Sequence, residues 1–292
     1  MRKAAYAGSF YPSSSHALAA MLEGCFTGKL GPGALPEKPK PSISALKALI
    51  SPHAGYVYSG MAAAWGYKLV AESSLPDLFI LLGPNHHSYE SGMSLDSFET
   101  PLGIIRVDQE FGKLLASKGT ISVNEQIHMN EHSLEVQLPF LQFALASRAE
   151  KIKILPILIS HDLDLDKAAN DIKGTIAKTG KKVTFIVSSD FTHYGQSYGY
   201  TPFRAKLSPG QTLKQQISEL DEKAIELIKS GDAKGFEGYI SKTQASICGS
   251  LPIILLLKSI SFKKASLEQY YLSGDMTGDY TNTVSYASIA FR

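Results

Sequence analysis

The chain predicts a single α/β domain spanning residues 1–292, with a central, mostly parallel or mixed sheet flanked by helices. Three observations carry that expectation. Residues 46–51, 78–82 and 183–188 are apolar runs too short for helices and suited to strands buried on both faces. Segments of helical periodicity lie between them, the alternation of a parallel sheet. Each run also stops in the same way, giving onto Pro52-His53, onto Gly83-Pro84-Asn85-His86-His87, and onto Asp190 and His193. Ligands of open α/β sheets bind outside the carboxyl ends of the strands. Three such ends carrying His or Asp predict a metal site.

Composition narrows the class. A chain of 292 residues, 44% hydrophobic and 19% charged, can bury a substantial core. Twenty-nine Lys and Arg against 27 Asp and Glu leave a net +2 with no dense basic run. That argues against nucleic acid or an anionic membrane as partner. Cys25 and Cys248 cannot make a disulfide scaffold, so a reducing cytoplasm is expected. Met1-Arg2-Lys3 gives onto Gly8-Ser9-Phe10-Tyr11-Pro12 rather than the apolar core of a signal peptide. The apolar stretch 251–257 is far shorter than the roughly 20 residues that span a bilayer.

The elements follow in order. Irregular chain precedes a helix over 15–26 with Leu18, Met21 and Leu22 on one face. Residues 28–44, with prolines at 32, 36, 39 and 41, read as a surface loop. After the first strand, Ser59 is the expected N-cap of a helix through Trp65, Leu69 and Val70. Strand character recurs near 93–98 and 104–107, and Asp108 caps a helix over Phe111, Leu114 and Leu115. Leu134, Leu138, Leu141 and Leu145 predict a helix opening at Asn130, with Pro139 able to kink it. Pro156 favours an edge or a bulge in the strand over 152–159. A helix over 165–177 precedes the third buried strand. The aromatics of 194–209 (Tyr194, Tyr198, Tyr200, Phe203) suggest a loop over the site mouth. Helices over 212–229 and 251–260 and strands over 267–272 and 283–290 complete the chain.

His53 and His86 are the primary ligand candidates, because neutral imidazole is a common ligand of zinc, iron and copper. Hydrogen bonds to loop carbonyls would be the bland alternative. His87 could serve in place of His86, and residue type does not separate them. Cys248 precedes a predicted helix, whose N-terminus favours the thiolate that binds metal; a small buried hydrophobe is the equal alternative. Asp190 and His193 read as an acid–base pair, with an Asp helix cap as the other reading. His132 and Glu135, three apart, could donate protons or orient a ligand, or lie on a solvated helical turn. His128 and His161 have no evident partner, and Cys25 reads as a packing residue.

Taken together, Pro52-His-Ala-Gly-Tyr56, Gly83-Pro-Asn-His-His87, Glu131-His-Ser-Leu-Glu135, Ser188-Ser-Asp-Phe-Thr-His-Tyr-Gly195 and Ile247-Cys-Gly249 resemble the Memo family. Ala7-Gly-Ser-Phe-Tyr11 and Val284-Ser-Tyr-Ala287 extend the resemblance over nearly the whole chain. It implies a fold similar to class III extradiol ring-cleaving dioxygenases, which hold non-haem Fe(II). It implies His53, His86 and Cys248 as metal ligands, with Asp190 and His193 close by. The dioxygenases use a carboxylate where this chain offers Cys248, and a thiolate alters metal preference and electronics. The animal members are associated with receptor signalling, cell motility and iron or copper binding. Microbial members often occur with a radical-SAM protein and an AMMECR-type protein.

These readings converge on an oxidoreductase holding Fe(II), or else Cu or Zn, with His193 and Asp190 moving protons and Tyr56, His132, Glu135 and His87 lining the pocket. A peptide- or small-acid-binding protein that keeps the cleft, and a metal-dependent hydrolase, are the other two.

Overall fold

The computed structural model describes residues 1–39, 46–203 and 212–292. The Ser14 hydroxyl accepts from Ala17 N–H ahead of α1 (Ser15–Thr27), whose Leu18, Leu22 and Phe26 are buried. β1 (Ala48–Ser51) is buried along its length. α2 (Tyr56–Glu72) starts from Gly55, not from Ser59, whose hydroxyl donates to Ala54 O from inside the first turn. Gly55 has no side-chain oxygen to mark the start. Further along α2, a Cβ on Gly66 would lie 2.3 Å from Leu49 Cδ1, so this glycine lets the helix seat against β1.

β2 (Leu78–Pro84) is buried throughout. The strand expected over 93–98 is two pieces, β3 (Gly92–Met93) and β4 (Phe98–Thr100), ahead of β5 (Gly103–Val107). Asp108 caps α3 (Gln109–Ala116) by accepting from Phe111 N–H, and α4 (Glu125–His128) is one turn. The helix expected to open at Asn130 begins only at Gln137, as α5 (Gln137–Leu145). Residues 130–136 are turns and irregular chain, and Pro139 falls in the first helical turn, where a missing N–H costs no intrahelical bond.

β6 (Lys153–Ile159) is an interior strand despite Pro156. Its pairing with β5 ends at Ile154 and its pairing with β3 begins at Ile157. The Pro156 carbonyl, facing that same gap, accepts from Ser94 N–H. The proline therefore occupies the one stretch where no ladder donor is needed. α6 (Leu165–Thr179), β7 (Val183–Ser188) and the short β8 (His193–Tyr194) follow. A Thr212–Gln215 capping box opens α7 (Leu213–Ser230), which Gly231 closes in the left-handed conformation. α8 (Ala233–Thr243) has no clear signature in the sequence, since Phe236 is its buried anchor and Gly235 and Gly238 dilute the pattern. α9 (Ser250–Ser259), β9 (Ala265–Leu272), α10 (Gly274–Thr277) and β10 (Thr283–Phe291) end the chain. Residues 40–44 of the expected surface loop and 204–209 of the expected aromatic loop lie outside the described residues.

The ten strands form one mixed sheet in the order β4-β5-β6-β2-β7-β1-β10-β8, with β3 added on β6 and β9 on β10. β5, β6, β2, β7 and β1 are mutually parallel, and the remaining pairings are antiparallel. α2 packs on β1 and β10 together with α1 and α5, while α9 packs on β2 and β7 together with α6 and α8. Leu82 pairs with Val187 and Ser51 with Ser188, so β2, β7 and β1 end side by side at one level. The loops that follow them carry His86, Asp190 and His53.

Candidate metal centre

His53 is 2% exposed, in the loop that leaves β1. Its N–H donates to Asp190 Oδ1 at 2.7 Å, and its Nδ1 stands 2.8 Å from Ser188 Oγ. Hydrogen-bond accounting fixes its tautomer. Gln137 Nε2 donates to the Pro52 carbonyl at 2.9 Å, and Gln137 Oε1 accepts from the Tyr67 hydroxyl at 2.7 Å, so the amide orientation is determined. That Nε2 also donates to Ser188 Oγ at 2.8 Å, and the single Ser188 hydrogen goes to the Ser133 carbonyl at 2.5 Å. Ser188 Oγ can therefore only accept from His53. Nδ1 carries the proton, and Nε2 presents a lone pair. Burial, and then neighbouring His86, holds this imidazole well below its ordinary pKa, hence neutral.

His86 follows β2 and is organised by a carboxylate. Its N–H donates to Glu131 Oε2 at 2.6 Å and its Nδ1 to Glu131 Oε1 at 2.9 Å. Because an ionised carboxylate only accepts, Nε2 is again the free nitrogen. Burial would raise the Glu131 carboxyl, but the hydrogen bonds from His86 and from the Ser133 N–H outweigh it and hold it well below the carboxylate range. Cys248 arrives from the far side of the sequence, where an isolated bridge joins Ile247 to Thr192 beyond β7. Its Sγ lies 3.1 Å from His53 Nε2 and accepts from Asp190 N–H at 3.3 Å. Burial, and then the Asp190 carboxylate, push the thiol well above its ordinary value, which only a cation beside the sulfur would reverse.

One ligand atom each from His53, His86 and Cys248 lie within 4.8 Å of one another. Two imidazole nitrogens with fixed lone pairs and one sulfur suit iron, copper or zinc, and do not suit the hard cations that take oxygen donors. Three protein donors also leave a coordination position open. A second trio, His86, Glu131 and His132, satisfies the same distance. It competes for His86, whose Nδ1 already serves Glu131.

Comparison with known proteins decides the family. Residues 2–290 match the model of the Memo-like protein family. A MEMO1 family protein of Methanopyrus kandleri is 35% identical over 300 residues, covering 100% of this chain and 99% of the relative. One from Methanosarcina barkeri is 36% identical over 296 residues, covering 99% of each. The chain belongs to the Memo family. In fold this Memo-family protein is also similar to an uncharacterized protein from Escherichia coli K12, with TM-score 0.53 and 11% identity, covering 85% of this chain and 100% of the other.

The remaining predicted site residues divide. His132 stacks on His86 with ring centroids 4.6 Å apart and meets His53 edge-on at 5.4 Å; burial, and then His53, hold it down at about 3. His193 and Asp190 do not make the expected direct pair. Asp190 accepts from His53 N–H, and burial raises its carboxyl. The His193 Nδ1 donates to the carbonyls of Phe191 and Ser246, both at 3.0 Å, which leaves its Nε2 free. His87 turns away from the trio, toward the Tyr6 hydroxyl at 3.2 Å. Tyr56 does not line the pocket: it is buried among Tyr11 and Phe140, and its hydroxyl donates to the Val136 carbonyl. Glu135 is not on a helical turn with His132. It pairs with buried Arg2 and accepts from the N–H groups of Ala5 and Tyr6 and from the Tyr11 hydroxyl.

Glu131, Ser188, Gln137, Tyr6 and Phe10 are the neighbours that sequence reasoning missed. Phe10 packs against His132 with ring centroids 4.6 Å apart and planes tilted by 40°, and Tyr6 stands 5.3 Å from it, so the N-terminal segment forms one wall. The Glu131-His132 pair was a signal for the first of these. Nothing in a lone Ser or Gln advertises the other two.

Proposed function

We propose that this Memo-family protein is a metal-dependent oxidoreductase of the reducing cytoplasm, with Fe(II), or else copper, held by His53, His86 and Cys248. The convergence of those three ligand atoms within 4.8 Å carries the reading. When bound, such an ion supplies a Lewis acid and a one-electron redox centre with a position open to substrate. Glu131 and Ser188 hold the two imidazoles with Nε2 turned inward. His193 Nε2, which has no partner among the described residues while Nδ1 is held by two carbonyls, is the group assigned to accept a proton. Tyr6 and Phe10 close one side against water. The redox assignment rests on donor chemistry: a thiolate with two imidazoles favours a soft or borderline metal.

Metal analysis of protein purified without oxygen or chelator tests it. Close to one equivalent of iron or copper is expected, falling at least tenfold in His53→Ala and in Cys248→Ser. Wild-type protein holding less than a tenth of an equivalent of any transition metal would sink the reading. Zinc as the sole metal would turn it toward hydrolysis, with Asp190 as base.

A further inference from the structure

Beside the trio a cleft of about 290 Å³ opens between the loop after β2 and the start of α9. His86 and Cys248 form its inner end; Ser160, His161 and Ser250 line one part of its polar surface, and Asn85, His87, Ser88 and Tyr89 the other. No Asp or Glu lines it. The acids closest to its inner end are already engaged: Glu131 accepts from the His86 N–H and Nδ1 and from the Ser133 N–H, and Asp190 accepts from the His53 N–H. Ser160 is only 6% exposed, yet its hydroxyl has no hydrogen-bond partner among the described residues. That hydroxyl opens on the cleft, where a ligand can complete its bonding. The Ser250 hydroxyl and the His161 imidazole likewise have no partner among the described residues. Ser250 is also the first residue of α9, at the positive end of its macrodipole; of the first N–H groups only that of Leu251 is left open, since Gly249 and Ser250 donate to Ser189 Oγ and the Ile247 carbonyl and Pro252 has none.

We propose that this cleft is a subsite for a small anionic group, a carboxylate or a phosphate, held by Ser160, Ser250 and His161. The proposal rests on the metal-centre reading only in naming the substrate class, a small acid whose other end reaches the trio. The three free side chains on the wall, Ser160, Ser250 and His161, can each donate, and none is an anion. Its volume, at the lower end of small-molecule sites, suits a compact acid better than a peptide.

The test is a titration of protein as purified, labelled with ¹⁵N-histidine, first with inorganic phosphate and then with acetate, following side-chain resonances. Saturable shifts at His161 are expected with one or both anions, and the tighter of the two identifies the group the subsite takes. Ser160→Ala and His161→Gln should each weaken binding about tenfold, the usual scale for a hydrogen bond to a charged group. His16→Gln, on the exposed start of α1, should leave it unchanged. Absence of saturable binding by either anion, or affinities unaltered by both substitutions, overturns the proposal. The same titration on His53→Ala separates the two readings. Binding that persists there while wild-type protein holds no metal keeps the subsite and discards the metal centre. Metal without anion binding does the reverse.

Discussion

Ser188 is a plain serine at the end of a strand, yet it governs which nitrogen His53 offers. Its oxygen is saturated by two donors and its one hydrogen is committed to Ser133. Ser188→Ala or Gln137→Met would leave His53 Nδ1 without its acceptor or loosen that acceptor. Orienting partners of this kind are worth roughly 10–100-fold in metal affinity. We therefore expect a loss of that size for either change, read by competition with a chromophoric chelator, and a lower thermal midpoint as well for Gln137→Met, because the buried Tyr67 hydroxyl and the Pro52 carbonyl lose their partner. Glu131→Gln should act comparably through His86, because an amide oxygen is a weaker acceptor than a carboxylate. A second residue-scale prediction concerns His128, away from the trio and 2% exposed, whose Nε2 donates to the Gly92 carbonyl. Burial holds it down at about 4, against an ordinary 6.5. The folded state thus prefers neutral imidazole, and the unfolded chain binds the extra proton between those values. Its contribution is complete above about pH 6.5 and is lost as pH falls toward 4, on the order of 3 kcal/mol in all. Urea unfolding at pH 7 and pH 4 should show wild-type protein losing that much more than His128→Gln. Equal losses would place the acid sensitivity elsewhere.

The element with the least regular structure does much of the positioning. Residues 1–11 form only isolated bridges, Arg2 with Phe98 and Ala7 with Tyr11. Their anchor is Glu135, and Arg2 also donates to the carbonyls of His128 and Glu131. The segment is therefore tied to the turn that carries Glu131 and His132, and it brings Tyr6 and Phe10 to the wall of the site. Removing one partner of a buried ion pair costs about 3–5 kcal/mol, because the other charge is left without compensation. Glu135→Ala is expected to lower unfolding free energy by that amount and to expose the N-terminal residues to proteolysis. Arg2→Met combined with Glu135→Gln should recover part of the stability, since the glutamine oxygen still accepts from Ala5 and Tyr6. A Glu135→Ala variant with unchanged stability and an intact N-terminus would refute the anchor.

At the scale of the whole molecule, the parallel strands were legible because they are buried on both faces. An unbroken apolar run, such as 78–82, has few other interpretations. The histidines and acids at their ends were legible for the same topological reason. What escaped was set by tertiary contacts. Leu134 keeps helical spacing with Leu138 but sits in a turn, because residues 130–136 are shaped by the hydrogen bonds of Glu131 and Glu135. Tyr56 and Glu135 looked like site residues because sequence proximity to a histidine says nothing about direction. Cys248 reaches the site through contacts distant in sequence, the bridge of Ile247 to Thr192 and the hydrogen bonds of Ser246 with His193 and of Gly249 with Ser189.

The same long-range logic makes the last strand decisive. β10 is buried at all nine positions and joins β1, β9 and β8. Through β1 it supports the loop carrying His53, and through β8 and the Phe191 N–H to Ser285 bond it supports the loop carrying Asp190 and His193. No earlier segment can substitute, because β1 would be left with an unpaired edge and β9 with no partner in the sheet. Deleting residues 283–292 should therefore abolish cooperative unfolding and near-ultraviolet circular dichroism together with metal binding. Its counterpart is a deletion at the N-terminus: removing residues 1–3 should weaken the fold by the energy of the Arg2 ion pair and leave a cooperative transition. A truncated chain lacking β10 that still unfolds in one sharp transition would show that the sheet closes without its final strand.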